Sequence, residues 1–349
     1  MHWTEIVFYI GVLAVILTIL LIDLLIFDKE SHEVSLREAF LWTMLWIMLG
    51  LGFGVFIYFH GHLIHGIRTF DDLKEIIRNY EYVVRINPED FNESLKAFDH
   101  QMAINYITGY LLEKTLSVDN LFVMIMIFSA FGVHPRHHKR VLFWGILGAI
   151  VLRTLFIFLG AALVLKFHWI LYIFGVFLLY SGAKVFFNKE EEHIEPQNHP
   201  LIKFLSRHTH VFPRFVGGHF FVRPKGQSWY VTPLFLVLVF IEFSDLVFAF
   251  DSIPAIFSVT LDPYIVFFSN IFAILGLRAL YFFLAKIVEQ FYALQYGVGV
   301  LLVLIGLKLL FAQKLHNLGF TNIHSFICIL LVLAISISYS LLFPKNKNK

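Results

Sequence analysis

Long apolar stretches divide this chain, and they restrict its fold more than any other feature of the sequence. About nine of them reach the ~20 residues that a helix needs to cross the hydrocarbon of a bilayer. These stretches are Ile6–Phe27, Ala39–Phe59, Ala103–Phe131, Val141–Leu165, Trp169–Phe187, Val231–Val259, Ile265–Ala285, Leu294–Phe311 and Ile323–Phe343. They predict an all-α polytopic membrane protein.

The composition agrees with a membrane protein and excludes other classes. Hydrophobic residues make up 58% of the chain and charged residues only 15%, whereas a soluble domain carries roughly 25% charged residues. The net charge of +2 is small and the basic residues are dispersed, which argues against a nucleic-acid partner. The single cysteine, Cys328, cannot form an internal disulfide or a thiolate metal cluster.

The distribution of lysine and arginine predicts the orientation in the membrane. With the N-terminus outside and the C-terminus in the cytoplasm, most basic residues fall in inside segments, as the positive-inside rule requires. Most of the others lie in the Gly61–His100 loop, where they alternate with acidic residues as on a solvated surface. The first stretch lacks a basic start and a small-residue cleavage site, so we interpret Ile6–Phe27 as a retained span.

An internal repeat organises the middle of the chain. A tyrosine, two glycines and a lysine occur twice with identical spacing. The matched pairs are Tyr172 and Tyr296, Gly175 and Gly299, Gly182 and Gly306, and Lys184 and Lys308. The matches predict two copies of a three-span unit, and an odd number of spans turns the second copy upside down. In secondary transporters built this way, the substrate site lies near the midplane between the repeats.

The repeat gives a division of the chain into five parts. We place two N-terminal membrane helices and an outside loop in 1–100, the first three-helix repeat in 101–188, a cytoplasmic loop in 189–230, the second three-helix repeat in 231–312, and the last membrane helix with a basic tail in 313–349.

Acidic residues inside the apolar stretches indicate the function. Glu113 and Asp119 lie in the third stretch, and Glu242, Asp245 and Asp251 lie in the sixth. A charge at membrane depth costs at least ~2.5–3.5 kcal/mol on insertion scales, so these groups need a cation, protons or water. Residues six apart on a regular helix point about 120° away from each other.

A helix break would bring these carboxylates onto one site. Pro254 withholds a backbone donor from Phe250 and clashes with its carbonyl, so we expect a break beside Asp251. The first repeat has no proline in Ser117–Asn120, and a break there is less well supported.

Together these residues predict an all-oxygen metal site. Its ligands are Asp119, Asp245 and Asp251, with Glu113 or Glu242 and either the amide of Asn120 or backbone carbonyls freed by a helix break. Hard oxygen ligands favour Mn²⁺, Mg²⁺ or Ca²⁺ over copper or structural zinc. Carboxylates that do not bind the cation can exchange protons as it moves.

Three basic residues are candidate charge partners for these carboxylates. Arg153 and Arg278 match each other in the repeat and lie within spans, where structural pairing and a role in transport are both open. Lys114 follows Glu113 directly, and it either neutralises that carboxylate or lies near the membrane edge.

Five motifs resemble one known family. They are Glu113–Val123, Gly148–Thr154, His219–Arg223, Glu242–Ala255 and Ser269–Arg278. In these motifs the chain is similar to the TerC/Alx family of bacterial integral membrane proteins, from about Ile6 to Phe343. The resemblance implies a protein of the cytoplasmic (inner) membrane, related to the LysE-type exporters and linked to manganese efflux and tellurium resistance. By position, the family's intramembrane acidic residues carry over to Glu113, Asp119, Glu242, Asp245 and Asp251.

Three functions from different classes follow. The first is an exporter of Mn²⁺ in exchange for protons, with an acidic site between the third and sixth spans. The second is a membrane scaffold for metal loading or insertion of partner proteins, with an indirect effect on tellurium resistance. The third, an intramembrane hydrolase, lacks a His-Glu-x-x-His run and a paired nucleophile and base, so we expect no enzyme activity. The expected partners are a divalent metal ion and the lipid bilayer, no cofactor is expected, and a homo-oligomer is left open.

Overall fold

The computed structural model describes most of the chain. It covers residues 8, 10–16, 18–19, 35–187, 209–224, 228–287, 293–320 and 322–343, without the side chains of residues 119, 294, 295, 316 and 322. The predicted first span, Ile6–Phe27, and the predicted 189–230 loop therefore lie largely or partly outside the described residues.

Helices form nearly all of the regular structure in these ranges. The helices are α1 (Leu36–His60), α2 (His62–His65), α3 (Phe70–Asn79), α4 (Phe91–Ala130), α5 (Pro135–Lys166), α6 (Ile170–Phe187), α7 (Pro233–Phe257), α8 (Pro263–Ile274), α9 (Leu277–Ile287), α10 (Ala293–Leu310), α11 (Ala312–Asn317) and α12 (Asn322–Leu342). A short antiparallel hairpin, β1 (Phe221–Val222) and β2 (Tyr230–Val231), precedes α7. The all-α prediction is confirmed for this part of the chain.

Local sequence signals set where several helices begin. Ser35 and Glu38 form a capping box at the start of α1, which satisfies backbone donors that have no partner within the helix. Pro135, Pro233 and Pro263 stand at the beginning of α5, α7 and α8. Proline is favourable there because its missing N–H would have no partner at that position.

Four described helices are long and apolar enough to cross a membrane. They are α1, α5, α7 and residues Ile323–Leu342 of α12. Helices α8 and α9 form a fifth candidate that bends by 46° at the break between them, and α6 and α10 are shorter apolar helices. The predicted third stretch is part of the 40-residue helix α4. The structure thus gives four or five candidate spans in the described ranges, and the count of about nine stays a prediction.

The expected break at Pro254 is wrong. Helix α7 runs unbroken to Phe257 with Pro254 inside it, since a proline so close to the end of a helix removes only one late hydrogen bond. Helix α4 also continues through Ser117–Asn120. The chain breaks instead between α8 and α9, where Gly276 has a φ of 77°. Trp46 of α1 fills the space that a side chain at Gly276 would need, so both the backbone angle and the close packing require glycine.

Helix α8 lies at the centre of the bundle and carries polar residues into it. All its residues, from Pro263 to Ile274, are buried, and it packs against α1, α4 and α5. A helix with apolar residues on every face belongs in such a core, and Ser269 and Asn270 are the polar residues that α8 buries there. The backbone of α4 approaches α8 closely at Gly109, where a Cβ would lie 3.0 Å from Oγ of Ser269.

The repeated glycines bring α6 and α10 together. A Cβ at Gly175 would lie 3.1 Å from the carbonyl oxygen of Gly306, and a Cβ at Gly182 would lie 2.7 Å from that of Gly299. Small residues allow two helix backbones to approach in this way. The first glycine of each copy therefore meets the second glycine of the other copy, so the two helices run antiparallel.

Candidate functional site

A buried cluster of ion pairs lies where α4, α5, α7 and α8 meet. Arg153 of α5, which is 1% exposed, pairs with Glu113 of α4 and Asp245 of α7. Its Nη2 donates to Oδ1 of Asp245 at 2.9 Å and its Nε to Oδ2 at 3.2 Å. This two-point contact uses the planar fork of the guanidinium, which gives the pair a defined geometry.

Two asparagines complete the cluster. Nη1 of Arg153 donates to Oδ1 of Asn270 on α8 at 3.0 Å, and the amide of Asn270 donates to the Val266 carbonyl at 3.0 Å. That second bond holds Asn270 with its oxygen toward the guanidinium. Nδ2 of Asn120 donates to Oδ1 of Asp245 at 3.3 Å. All these side chains are buried, so removal of Arg153 would leave both carboxylates without their cation, at a cost of about 3–5 kcal/mol.

Glu242 lies beside the cluster on α7. It precedes Asp245 by three residues, so both belong to one face of the helix. Its carboxylate occupies the space that a Cβ at Gly148 of α5 would need. Its Oε2 is buried without a hydrogen-bond partner among the described residues. Gly148 therefore makes room for a carboxylate one and a half turns along α5 from Arg153.

The other predicted ligands do not join this cluster in the described structure. Asp251 hydrogen-bonds to Ser181 and lies close to Lys184, both on α6. The backbone of Asp119 belongs to α4, and its side chain lies outside the described residues. Within the part of the chain that the structure describes, no three His, Cys, Asp or Glu side chains are arranged to hold one metal ion. The structure thus brings together Glu113, Asp245 and Asn120, with Glu242 adjacent.

Lys114 hydrogen-bonds to the backbone at the break between α8 and α9 and does not pair with Glu113, its neighbour in the sequence. Its Nζ donates to the carbonyl oxygens of Ala273 at 3.0 Å and Leu275 at 3.4 Å. These carbonyls lie at the C-terminal end of α8, where backbone acceptors lack helical partners and a positive charge is favourable. The partner of Glu113 is Arg153 instead. Arg278, the matching arginine of the second repeat, is buried near the start of α9.

Sequence reasoning missed Asn270. The residue lay within the Ser269–Arg278 motif, and two adjacent polar residues inside an apolar stretch were the available signal. Its importance depends on α8 being buried all round, which brings Asn270 into contact with Arg153 on another helix.

A second buried network lies at the N-terminal end of α8, outside the spans. Oδ2 of Asp262 accepts from the hydroxyl of Tyr82 at 2.6 Å and lies 2.7 Å from Nε2 of His65. Its Oδ1 accepts from the backbone N–H of Tyr264 at 2.9 Å, which caps the helix. Burial alone would raise the pKa of Asp262, but His65, Tyr82 and the Tyr264 amide lower it below its usual value. Burial and the adjacent Asp262 raise the pKa of Tyr82 well above 10.

Comparison with known proteins gives the family. The family model described as "Integral membrane protein TerC family" matches residues 98–348. Alx of Salmonella typhi, named as a candidate membrane-bound redox modulator, is 42% identical over 88% of this chain and 86% of its own length. Alx of Escherichia coli strain K12, which has the same name, is 43% identical over 88% of this chain and 86% of its own.

A further relative and the solved structures complete the comparison. A membrane protein of Myxococcus xanthus is 40% identical over 86% of this chain and 82% of its own length. No solved structure shows significant similarity to the chain. The family model covers well over half of the chain and includes α5, α7, α8 and most of α4, whose residues form the buried cluster. The chain belongs to the TerC family of integral membrane proteins.

Proposed function

We propose that the protein is a transporter of the bacterial cytoplasmic membrane that exports Mn²⁺ in exchange for protons. The observation that carries this proposal is the pair of buried carboxylates, Glu113 and Asp245, which reach one point from two helices. Ionisable groups inside apolar helices are costly, and in membrane proteins they mark ion pathways.

The internal repeat supports a transporter architecture. Glu113 and Asp245 occupy matching positions in the two copies. The glycines of α6 and α10 meet in reverse order, as they would if the second copy were inverted. Inverted repeats in secondary transporters place the substrate between the copies near the membrane midplane. We infer that the same relation extends to all three helices of each copy, with the N-terminus outside and the C-terminus in the cytoplasm.

The donor atoms support a hard divalent cation as the substrate. The cluster offers the carboxylate oxygens of Glu113 and Asp245 and the amide oxygen of Asn270. Oxygen ligands suit Mn²⁺, Mg²⁺ and Ca²⁺, whereas copper and structural zinc favour sulfur and imidazole. Among the three, Mn²⁺ is the substrate that the TerC/Alx resemblance implies.

Two further carboxylates are suited to carry protons. Oε2 of Glu242 and Oδ1 of Asp251 are buried without hydrogen-bond partners among the residues that the structure describes. Glu242 lies next to the Asp245 carboxylate on α7, so a cation arriving at Asp245 would change the proton affinity of Glu242. This arrangement would link cation binding to proton release.

The second candidate function is a membrane scaffold, and one observation favours it. Arg153 already neutralises carboxylate charge in the cluster, as a purely structural ion pair would. The name of the Alx relatives points to redox modulation. A dithiol cycle within this chain is unavailable because Cys328 is its single cysteine, so a scaffold would act through partner proteins.

Manganese content in cells distinguishes the two functions. Three strains of an efflux-deficient bacterium are compared. They express the wild-type chain, the Asp245→Asn variant or the Asp71→Asn variant, each at the same abundance in the membrane. Asp71→Asn is the control because it makes the same change on the exposed surface of α3. We expect the wild type and Asp71→Asn to lower cell manganese and Asp245→Asn to fail. Equal manganese with and without the chain, or full activity of Asp245→Asn, would reject the exporter.

A further inference from the structure

The groups that Arg153 contacts are of the type that coordinates hard metal ions. The guanidinium contacts the carboxylates of Glu113 and Asp245 and the amide oxygen of Asn270. The three groups come from α4, α7 and α8, so they meet only in the folded protein. Each supplies a hard oxygen of the kind that coordinates Mn²⁺ or Mg²⁺.

We propose that Arg153 is a tethered cation that occupies the substrate site and leaves it when the divalent cation binds. This inference rests on the function proposed above and assigns Arg153 a role in the same site. Two carboxylates carry two negative charges, of which one guanidinium compensates one. A divalent cation compensates both, and it cannot share the site with the guanidinium because like charges a few ångström apart repel.

An oxygen in the cluster remains available to a ligand. Glu113 is 0% exposed, and its Oε2 has no hydrogen-bond partner within the described ranges. A buried carboxylate oxygen without a partner is unfavourable, because it has lost its hydrogen bonds to water and has formed none within the protein. A bound cation would remove that cost. Arg153 alone therefore does not satisfy all the oxygens of the cluster.

Glu242 provides the position to which the guanidinium moves. Glu242 and Asp245 lie on one face of α7, three residues or about 4.5 Å apart along its axis, and the Glu242 carboxylate packs against Gly148 of the helix that carries Arg153. The arginine stem is long and flexible enough to cover that distance. When the guanidinium of Arg153 breaks its ion pairs with Glu113 and Asp245, it forms a new ion pair with Glu242. The buried Oε2 of Glu242 lacks a hydrogen-bond partner among the described residues. The exchange keeps every charge in the cluster paired.

Direct binding of Mn²⁺ to the purified full chain tests the inference. Calorimetry in detergent compares the wild type with Arg153→Gln, Arg153→Lys and Glu242→Gln. A neighbouring charge shifts proton binding to a carboxylate by 1–3 pKa units, so removing the arginine should lower the apparent Kd for Mn²⁺ about tenfold or more. Arg153→Lys should give an intermediate Kd, because an ammonium group cannot hold two carboxylates and an amide with one fork.

Glu242→Gln should act in the opposite direction. Without the Glu242 charge, the displaced guanidinium has no carboxylate with which to form an ion pair. Mn²⁺ should therefore bind more weakly to Glu242→Gln than to the wild type. Glu75→Gln is the matched control, because Glu75 is exposed on α3. Its Kd should equal that of the wild type. Release of Mn²⁺ should also slow in Arg153→Gln, so binding becomes tighter while transport into proteoliposomes falls.

The outcomes separate this inference from the proposed function. If neither the wild type nor Arg153→Gln binds Mn²⁺, the transporter proposal fails. A second outcome rejects only the role of Arg153. In that case the wild type binds Mn²⁺ and Asp245→Asn does not, but neither Arg153→Gln nor Arg153→Lys binds Mn²⁺ more tightly than the wild type. Should Arg153→Gln fail to fold, Arg153→Lys keeps the charge and decides alone: a lower Kd supports the inference, and an equal or higher Kd overturns it.

Discussion

Replacement of Asp262 by alanine should destabilise the protein more than any surface change. The Asp262 carboxylate is completely buried and contacts His65, the Tyr82 hydroxyl and the Tyr264 backbone amide. Alanine removes the cap of α8, which costs about 1 kcal/mol. It also leaves two buried polar side chains without their acceptor, at about 1–3 kcal/mol each. The sum is roughly 3–7 kcal/mol.

Cys328 offers a built-in reporter for this measurement. It is partly buried and is the single cysteine of the chain, so a thiol-reactive dye reports its exposure on thermal unfolding in detergent. A loss of 3–7 kcal/mol should lower Tm by at least about 4 °C. Asp71→Ala removes an exposed carboxylate of α3 and serves as the control. If Asp262→Ala lowers Tm no more than Asp71→Ala does, the network at the start of α8 does not hold the bundle together.

Two further predictions use the same thermal assay. The pKa of Asp262 is lowered in the folded state, so its charge stabilises the protein above the unfolded pKa of about 3.9 and this stabilisation is lost as the pH falls below it. The Tm difference between the wild type and Asp262→Asn should therefore shrink as the pH falls from 5 toward 3, and a constant difference would contradict this origin. Gly306→Ala should cost about 1–3 kcal/mol by overpacking, because its Cβ would lie 2.8 Å from the Gly175 carbonyl oxygen. Gly52→Ala, whose Cβ would have nothing within 4 Å, should not lower Tm, and equal effects of the two would reject close packing of α6 and α10.

Helix α8 links the two buried networks. Asp262 caps its first turn and Asn270 lies two turns later on the same rigid element. A change that displaces the start of α8 would therefore move the amide oxygen that contacts Arg153. This connection is a reason to measure Mn²⁺ binding of Asp262→Ala beside its Tm.

Local sequence patterns were sufficient for the fold class and for several elements. Apolar stretches predicted the helices because backbone groups in hydrocarbon must bond within their own segment. The spacing of Gly175 and Gly182 recurred in Gly299 and Gly306, and these positions form the close contact of α6 with α10. The acidic residues were recognisable because charges are rare in apolar stretches.

The expected convergence of Asp245 and Asp251 shows where local reasoning failed. The sequence suggested a break at Pro254, whereas α7 is continuous. On a continuous helix two residues six apart point in different directions. Asp245 accordingly faces Arg153 of α5, and Asp251 faces Ser181 of α6.

The sequence by itself determined that this is an all-α membrane protein, and it marked Glu113, Asp245 and Arg153 as charges that need partners. Only the tertiary structure decided which partners they have, since Glu113, Arg153, Asp245 and Asn270 belong to four different helices. Burial cost depends on residue type and is visible in a sequence. Pairing depends on how helices rotate and cross, and that is set by packing across the whole bundle.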